Sequence, residues 1–263
     1  MIYINKDKIS KFNLTKGNYY VAMDFDKTIT AKDSCDSWDA SGRKLGEEFK
    51  SKLNALYEIY APIELDYTIG FEKKNKAMEE WYGRCMNLYY ENHLTKQKLE
   101  ESIEISNLFF RKGAEELLKE LHENSIPVVI LSAGIGNVIE KFLQKNNCLY
   151  DNMNIISNFI KFDENGNMIK YDNPIIHTLN KTLEGHANSR INRMIDGKEF
   201  RLLFGDFIED KNIIPQKEWN NTLSVGFLNK NIENNMEIYK KSFDVVLTNE
   251  DATFDVAKNI VFN

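Results

Sequence analysis

Short apolar runs recur along the chain, and each leads into turn residues and then a helical pattern. Tyr19–Met23 (YYVAM) runs into Asp24, Pro127–Leu131 (PVVIL) into Ser132-Ala133-Gly134, and Leu202–Phe204 into Gly205-Asp206. Leu223–Leu228 and Phe243–Leu247 are two further β-rich runs. Their shortness and branched side chains predict parallel strands buried on both faces. Between them, Ala114, Leu117, Leu118 and Leu121 keep the i, i+3, i+4, i+7 spacing of one helix face, and Val138, Ile139 and Phe142 begin another. Alternation of this kind predicts an α/β core, a doubly wound, Rossmann-like and mostly parallel sheet.

The alternation stops between about residue 38 and residue 110. Phe49, Leu53, Leu56, Tyr57 and Tyr60 form one amphipathic stripe there, and Met78, Trp81, Tyr82, Cys85, Leu88 and Tyr89 form another. We expect an inserted helical cap at 34–110 and a core made of 1–33 and 111–263; the alternative is one continuous fold. Ile155–Lys170 reads as strand, turn, strand, with Asp163–Gly166 at the tip. Asp163, Asn165 and Asn167 are spaced like calcium ligands, but Met168 and Pro174 stand where an EF-hand loop needs Gly and Glu, so the segment is a hairpin.

Composition narrows the function. With 42% hydrophobic and 28% charged residues in 263, the chain is an ordinary globular one. A net charge of −6 gives no footprint for a nucleic acid polymer, so an anionic substrate must meet local positive charges. Cys35, Cys85 and Cys148 are too scattered for a disulfide framework or a metal site and suit a reducing compartment. The first residues are polar from position 5 and lack the apolar centre of a signal peptide, and no run reaches the roughly 18 apolar residues of a bilayer span. The expectation is a cytoplasmic protein with no membrane partner, a monomer or weak dimer.

Three of the core strands end in polar residues, and ligands of open α/β sheets bind at those ends. Asp24-Phe25-Asp26-Lys27-Thr28 follows the first, Ser132 the second, and Gly205-Asp206 with Asp210 the third. Four carboxylates gathered at one edge need a cation to offset their repulsion, and an all-oxygen donor set suits Mg²⁺ together with a substrate phosphate. One carboxylate can then act as nucleophile and another, two residues along, as general acid and base. Ser132 can bond phosphate oxygens, and Lys181 is a candidate to neutralise them. Taken singly, each residue has a plain reading as a strand-end cap or a surface lysine; the ordered set is the signal. A dinucleotide fingerprint at Gly134-x-Gly136 fails because Ile139 occupies the third glycine position.

The ordered set resembles the four motifs of the haloacid dehalogenase superfamily, where a second Asp in D-x-D marks phosphoryl-transfer enzymes. A closer resemblance comes from Ser132-Ala133-Gly134-Ile135-Gly136, Ser157-Asn158-Phe159 with Phe162-Asp163-Glu164 and Gly166, Asn180-Lys181, Ile63-Glu64-Leu65-Asp66 and Glu80-Trp81-Tyr82. These are similar to the cytosolic type III pyrimidine 5′-nucleotidases, from about Tyr19 to near the C-terminus. The resemblance implies a Mg²⁺-dependent phosphomonoesterase acting on nucleoside 5′-monophosphates through an aspartyl-phosphate. It implies Asp24 as nucleophile, Asp26 as general acid/base whose carbonyl also reaches the metal, and Asp206 and Asp210 as metal residues. Ser132, the Ala133 amide and Lys181 would clamp phosphate, and Glu64 would bond the base.

Cys85 stands where relatives carry Ser near the substrate. The shorter segment after Thr30 brings Trp38, either a base-stacking ring or a cap core residue. Trp81 and Tyr82 fall in the cap stripe and read as packing, the alternative being that one of them faces the cleft; His93, His122, His177 and His186 read as structural. The main alternatives are the same chemistry on a sugar phosphate or phosphoserine, and a non-catalytic binding protein that keeps the fold.

Overall fold

The computed structural model describes residues 1–66 and 68–262. Its strands are β1 (Ile2–Ile4), β2 (Tyr19–Met23), β3 (Val128–Ile135), β4 (Met153–Asn158), β5 (Ile160–Phe162), β6 (Met168–Tyr171), β7 (Phe200–Gly205), β8 (Thr222–Leu228) and β9 (Val245–Thr248). Seven of them form one sheet in the order β1-β9-β8-β7-β2-β3-β4, parallel throughout except where β1 pairs with β9. This is the doubly wound α/β core that the apolar runs predict.

Why those runs are continuously apolar is visible on β2. Tyr19, Val21 and Met23 face one helical layer with Leu117, Leu121, Ile139 and Phe142, while Tyr20 and Ala22 face the other with Leu183, Ile191, Ile213 and Ile214. Both faces are covered, so neither residue parity can be polar. Each fully buried aliphatic or aromatic side chain contributes about 1.5–3 kcal/mol through removal from water.

Between β2 and β3 the chain folds into helices Ser37–Gly42, Gly46–Leu65, Phe71–Glu91 and Lys96–Glu104, the inserted helical cap. Phe49, Leu56, Tyr60, Met78, Trp81, Cys85 and Tyr89 of the expected stripes are buried. Tyr57 is not: it is 62% exposed, because it flanks an open pocket rather than the helix–helix seam.

Two segments depart from expectation. Ser132-Ala133-Gly134 is no turn after a strand but a bulge inside β3, where the register to β4 shifts between Leu131 and Ile135. A bulge re-aims the side chains it carries without ending the strand. The reading of Ile155–Lys170 as one strand–turn–strand unit is also corrected. Ile155–Asn158 belongs to β4 of the main sheet, and only β5 and β6 make the hairpin. No Gly or Pro marks the break, because a side chain makes it. The Asn158 amide donates to the carbonyls of Ala133 (3.0 Å) and Ile176 (2.8 Å) and accepts from the Ile176 N–H (2.7 Å), turning the chain away. The hairpin packs on the cap through Ile160 and Met168, beside Tyr89, Leu94 and Leu99.

Candidate active site

Strands β2, β3 and β7 lie side by side, so their carboxyl ends share one edge of the sheet. The Asp24 N–H donates to the Phe204 carbonyl at 3.0 Å, the last ladder bond before the two chains diverge. Beyond it, carboxylate oxygens of Asp24, Asp206 and Asp210 lie within 4.8 Å of one another. Asp210 braces the group: its Oδ2 accepts from the backbone N–H of Asp206 (3.0 Å) and Phe207 (2.9 Å). A side chain on Gly205 would put Cβ 2.6 Å from that same Oδ2, so only glycine fits ahead of Asp206. The Lys181 ammonium donates to Asp210 Oδ1 at 2.8 Å and bonds Asp24 Oδ1 as well.

Electrostatics follow from this crowding. Burial pushes Asp24 up to about 6, with Lys181 opposing and Asp210 adding to the rise. Burial, and then the charges of Asp24 and Asp210, hold Asp206 well above the usual carboxylate range. For Lys181 burial works downward, but Asp210 and Asp24 more than offset it and keep the ammonium charged. Two buried carboxylates and a half-buried third, against one ammonium, leave room for more positive charge, and the donors are all oxygen. The set fits a hard divalent cation.

Asp26 does something different. Its carboxylate lies outside that close group and accepts from Ser37 twice, from the N–H at 2.8 Å and from Oγ at 2.6 Å. Burial raises it to about 8, with Asp36 adding and the Ser37 bonds opposing. Ser37 Oγ in turn accepts from the Ile135 N–H at 3.1 Å, which ties the first cap helix to the β3 bulge. Gly134 lies beneath this contact. A Cβ there would collide with Ser37 Oγ and stand 2.7 Å from Asp26 Oδ2.

Asp24, Asp26, Ser132, Ala133, Lys181, Asp206 and Asp210 line one cleft of about 230 Å³, with Glu64, Trp38 and Tyr82 closing it from the cap. Glu64 is held by the core, its Oε1 accepting from Thr178 Oγ1 at 2.8 Å; burial raises its pKa. The Trp38 indole N–H donates to the Ala133 carbonyl at 3.2 Å, and its ring meets Tyr82 edge-on at 5.5 Å. Asp36, Trp38 and Tyr82 also line a second pocket of about 270 Å³, completed by Tyr57, Trp81 and Cys85 among others. Cys85 therefore sits in this aromatic pocket and not in the carboxylate cleft, and burial pushes its thiol up to about 12.

Sequence reasoning misses two contributors. Ser37 has a signal, lying just behind an Asp that caps a helix; Asp36 accepts from the Asp39 N–H at 2.7 Å. Thr178 has none, being a threonine in an irregular segment. Of the two cap-stripe aromatics, Tyr82 is the one that reaches the cleft, and it lines both pockets.

A family model described as pyrimidine 5′-nucleotidase (UMPH-1) matches residues 26–263. The chain belongs to the pyrimidine 5′-nucleotidase (UMPH-1) family. It is a phosphatase of the 5′-nucleotidase type. Among relatives, it is 31% identical over 251 residues to a human 7-methylguanosine phosphate-specific 5′-nucleotidase, spanning 92% of this chain and 83% of that one. It is 32% identical to the Gallus gallus protein of the same name, spanning 82% and 75%. A solved structure of cytosolic 5′-nucleotidase IIIB bound to cytidine superposes with a TM-score of 0.85 at 26% identity, covering 99% of this chain and 92% of that one. A phosphoserine phosphatase shares the fold at a TM-score of 0.60 and 19% identity, covering 93% and 99%.

Proposed function

We propose that this member of the UMPH-1 family hydrolyses nucleoside 5′-monophosphates, pyrimidine nucleotides foremost, through an aspartyl-phosphate on Asp24. The observation that carries the reading is the pairing of the carboxylate cleft with an aromatic pocket across Asp36, Trp38 and Tyr82. A phosphate fits the first and a base the second.

In this reading Asp24, Asp206 and Asp210 would hold Mg²⁺, with the Asp26 carbonyl as a further candidate ligand, and the ion would supply charge neutralisation of the phosphate oxygens. Asp24 attacks phosphorus as the bond to O5′ breaks, and Asp26 gives its proton to the departing O5′. Burial keeps Asp26 protonated up to about 8, which suits an acid working near neutral pH. Water then attacks the aspartyl-phosphate, Asp26 takes a proton from it, and phosphate leaves with Asp24 restored. Lys181, freed from Asp24 as phosphate enters, pairs with the substrate oxygens beside Ser132 and the Ala133 amide. Glu64, at the cap side of the carboxylate cleft, accepts a hydrogen bond from the base edge nearest that cleft, while Trp38 and Cys85 line the aromatic pocket beyond it. The cytosolic name of the superposed nucleotidase supports a cytoplasmic setting. No helix among the described residues is long and apolar enough to cross a membrane.

A second base class is favoured by the aromatic pocket itself, which presents Asp36 and Asp39 beside Trp38, Trp81 and Tyr82. Acidic groups around aromatic faces suit a positively charged base such as 7-methylguanine. The deciding experiment is phosphate release from CMP, UMP, GMP, 7-methyl-GMP, a sugar phosphate and phosphoserine, with Mg²⁺ and with EDTA. Mg²⁺-dependent turnover greatest on CMP or UMP supports the first reading, and greatest on 7-methyl-GMP the second. Turnover confined to the non-nucleotides overturns both.

A further inference from the structure

Arg111 is a buried guanidinium, 3% exposed, on the segment that leads from the cap back into the core. Its own N–H donates to the Ile29 carbonyl at 2.8 Å, so this returning segment is stitched to the segment that leaves. The side chain then reaches underneath the Asp24–Thr28 loop. Its Nε donates to the Thr28 carbonyl (2.8 Å), Nη1 to the Ala252 carbonyl (2.7 Å), and Nη2 to the Lys27 carbonyl and to Asn229 Oδ1 (3.1 Å). The guanidinium lies 4.1 Å from the Phe227 ring centroid. All these direct partners are carbonyls, an amide and a ring, a costly setting for an ion unless the charge is used.

Asn229 continues the chain of contacts. Its Nδ2 donates to the Lys27 carbonyl (3.0 Å) and to Asp206 Oδ2 (3.1 Å), while Thr28 Oγ1 donates to Asp206 Oδ1 (3.3 Å). Both oxygens of Asp206 are thereby fixed, one through Asn229 and one through a loop that Arg111 holds by two carbonyls. Lys27 lies in the left-handed region at φ 63°, a conformation a lysine keeps only where its surroundings impose it. The Lys27 carbonyl accepts from both Arg111 and Asn229 at that turn.

We propose that Arg111 and Asn229 are positioning residues that preset Asp206 for a divalent cation, and that they link this anchor to the cap's return segment. Asn229 is a donor because an acceptor would face Asp206 with like charge or lone pairs, and it is itself oriented by the Arg111 fork. This rests on the metal reading above. Partners of this kind, which touch a ligand but not the ion, change metal affinity by about 10–100-fold when removed.

The test uses the full chain without substrate, following thermal unfolding across a Mg²⁺ titration, alongside KM for the best nucleotide at saturating Mg²⁺. Asn229→Ala is expected to raise the Mg²⁺ midpoint at least about tenfold while KM stays within twofold, and Asn229→Asp to raise it further. Arg111→Lys, which keeps the charge but loses the fork, is expected to shift it in the same direction. Asn229 is half-buried, so its variants address the proposal even where Arg111→Lys fails to fold. An Asn229→Ala midpoint equal to wild type, with only a lower melting temperature, overturns the proposal. A wild-type chain that gains no stability from Mg²⁺ overturns the metal reading, and this one with it.

Discussion

Asp24 and Asp26 are two residues apart and share a cleft, yet their partners separate them, Lys181 for one and Ser37 for the other. Different environments for like groups are how one site holds a nucleophile and an acid together. Asp24→Asn keeps the shape but removes the proposed nucleophile, so turnover is expected to fall at least about a thousandfold. Asp26→Asn is expected to cost about 10²–10⁴-fold in kcat. Because the Ser37 bonds pull Asp26 down from its burial-raised value, Ser37→Ala should raise it further. The alkaline limb of the kcat profile should then move to higher pH, and movement to lower pH would contradict the assignment. His177, fully buried beside Tyr82, offers a stability measurement instead. Burial, with His186 adding, lowers it to about 4. The unfolded chain binds that proton at about 6.5, so stability is complete above that pH and declines as pH falls towards 4, by on the order of 3 kcal/mol. His177→Asn should flatten that decline in urea titrations run at several pH values.

At the level of elements, the β3 bulge and the first cap helix are one unit, joined by Ser37 Oγ over Gly134. Gly134→Ala should therefore lower kcat by more than tenfold and reduce stability as well; near wild-type values for both would show that the bulge yields easily. The strands ending in Asp24 and Asp206 are legible because burial on both faces leaves an unbroken apolar run. A charged residue straight after such a run stands at the carboxyl edge of the sheet, where ligands bind. The helical insertion is legible from its two stripes. What escapes has physical reasons. β1 is three residues long, too short to carry a period. The break after β4 is made by the Asn158 side chain, where Gly or Pro would be the usual sign. Tyr57 sits at stripe spacing yet faces solvent, because periodicity marks a helix face and not which part of it is covered. Among the site residues, position along the strands points to the carboxylates, whereas Thr178 and Asn229 are set by tertiary contacts that no local pattern encodes.

Across the whole molecule, two buried carboxylates, a half-buried third and one ammonium make the cleft a place where folding free energy is given up, and a cation bound there would return some of it. Saturating Mg²⁺ at a hundred times its dissociation constant is expected to stabilise the chain by about 2.7 kcal/mol, with EDTA reversing the gain. Asp210→Asn should weaken the response, as it loses charge beside Lys181 and Asp24. Glu64→Ala reports on the cap: KM for nucleotides should rise about 10–100-fold, as for a charged hydrogen bond, while a phosphate ester without a base is hydrolysed as before. Equal effects on both would show that Glu64 serves only to hold the cap through Thr178. The distribution of indoles has an optical consequence. Of three tryptophans, Trp38 and Trp81 line the aromatic pocket, while Trp219 packs against the core under Lys211. If a base occupies that pocket, as proposed, the emission of two of the three indoles is expected to change against one constant background, so the unlabelled protein would carry its own fluorescent gauge of occupancy. Trp219→Phe would leave a chain whose ultraviolet emission reports, in real time, only on what the cap has captured.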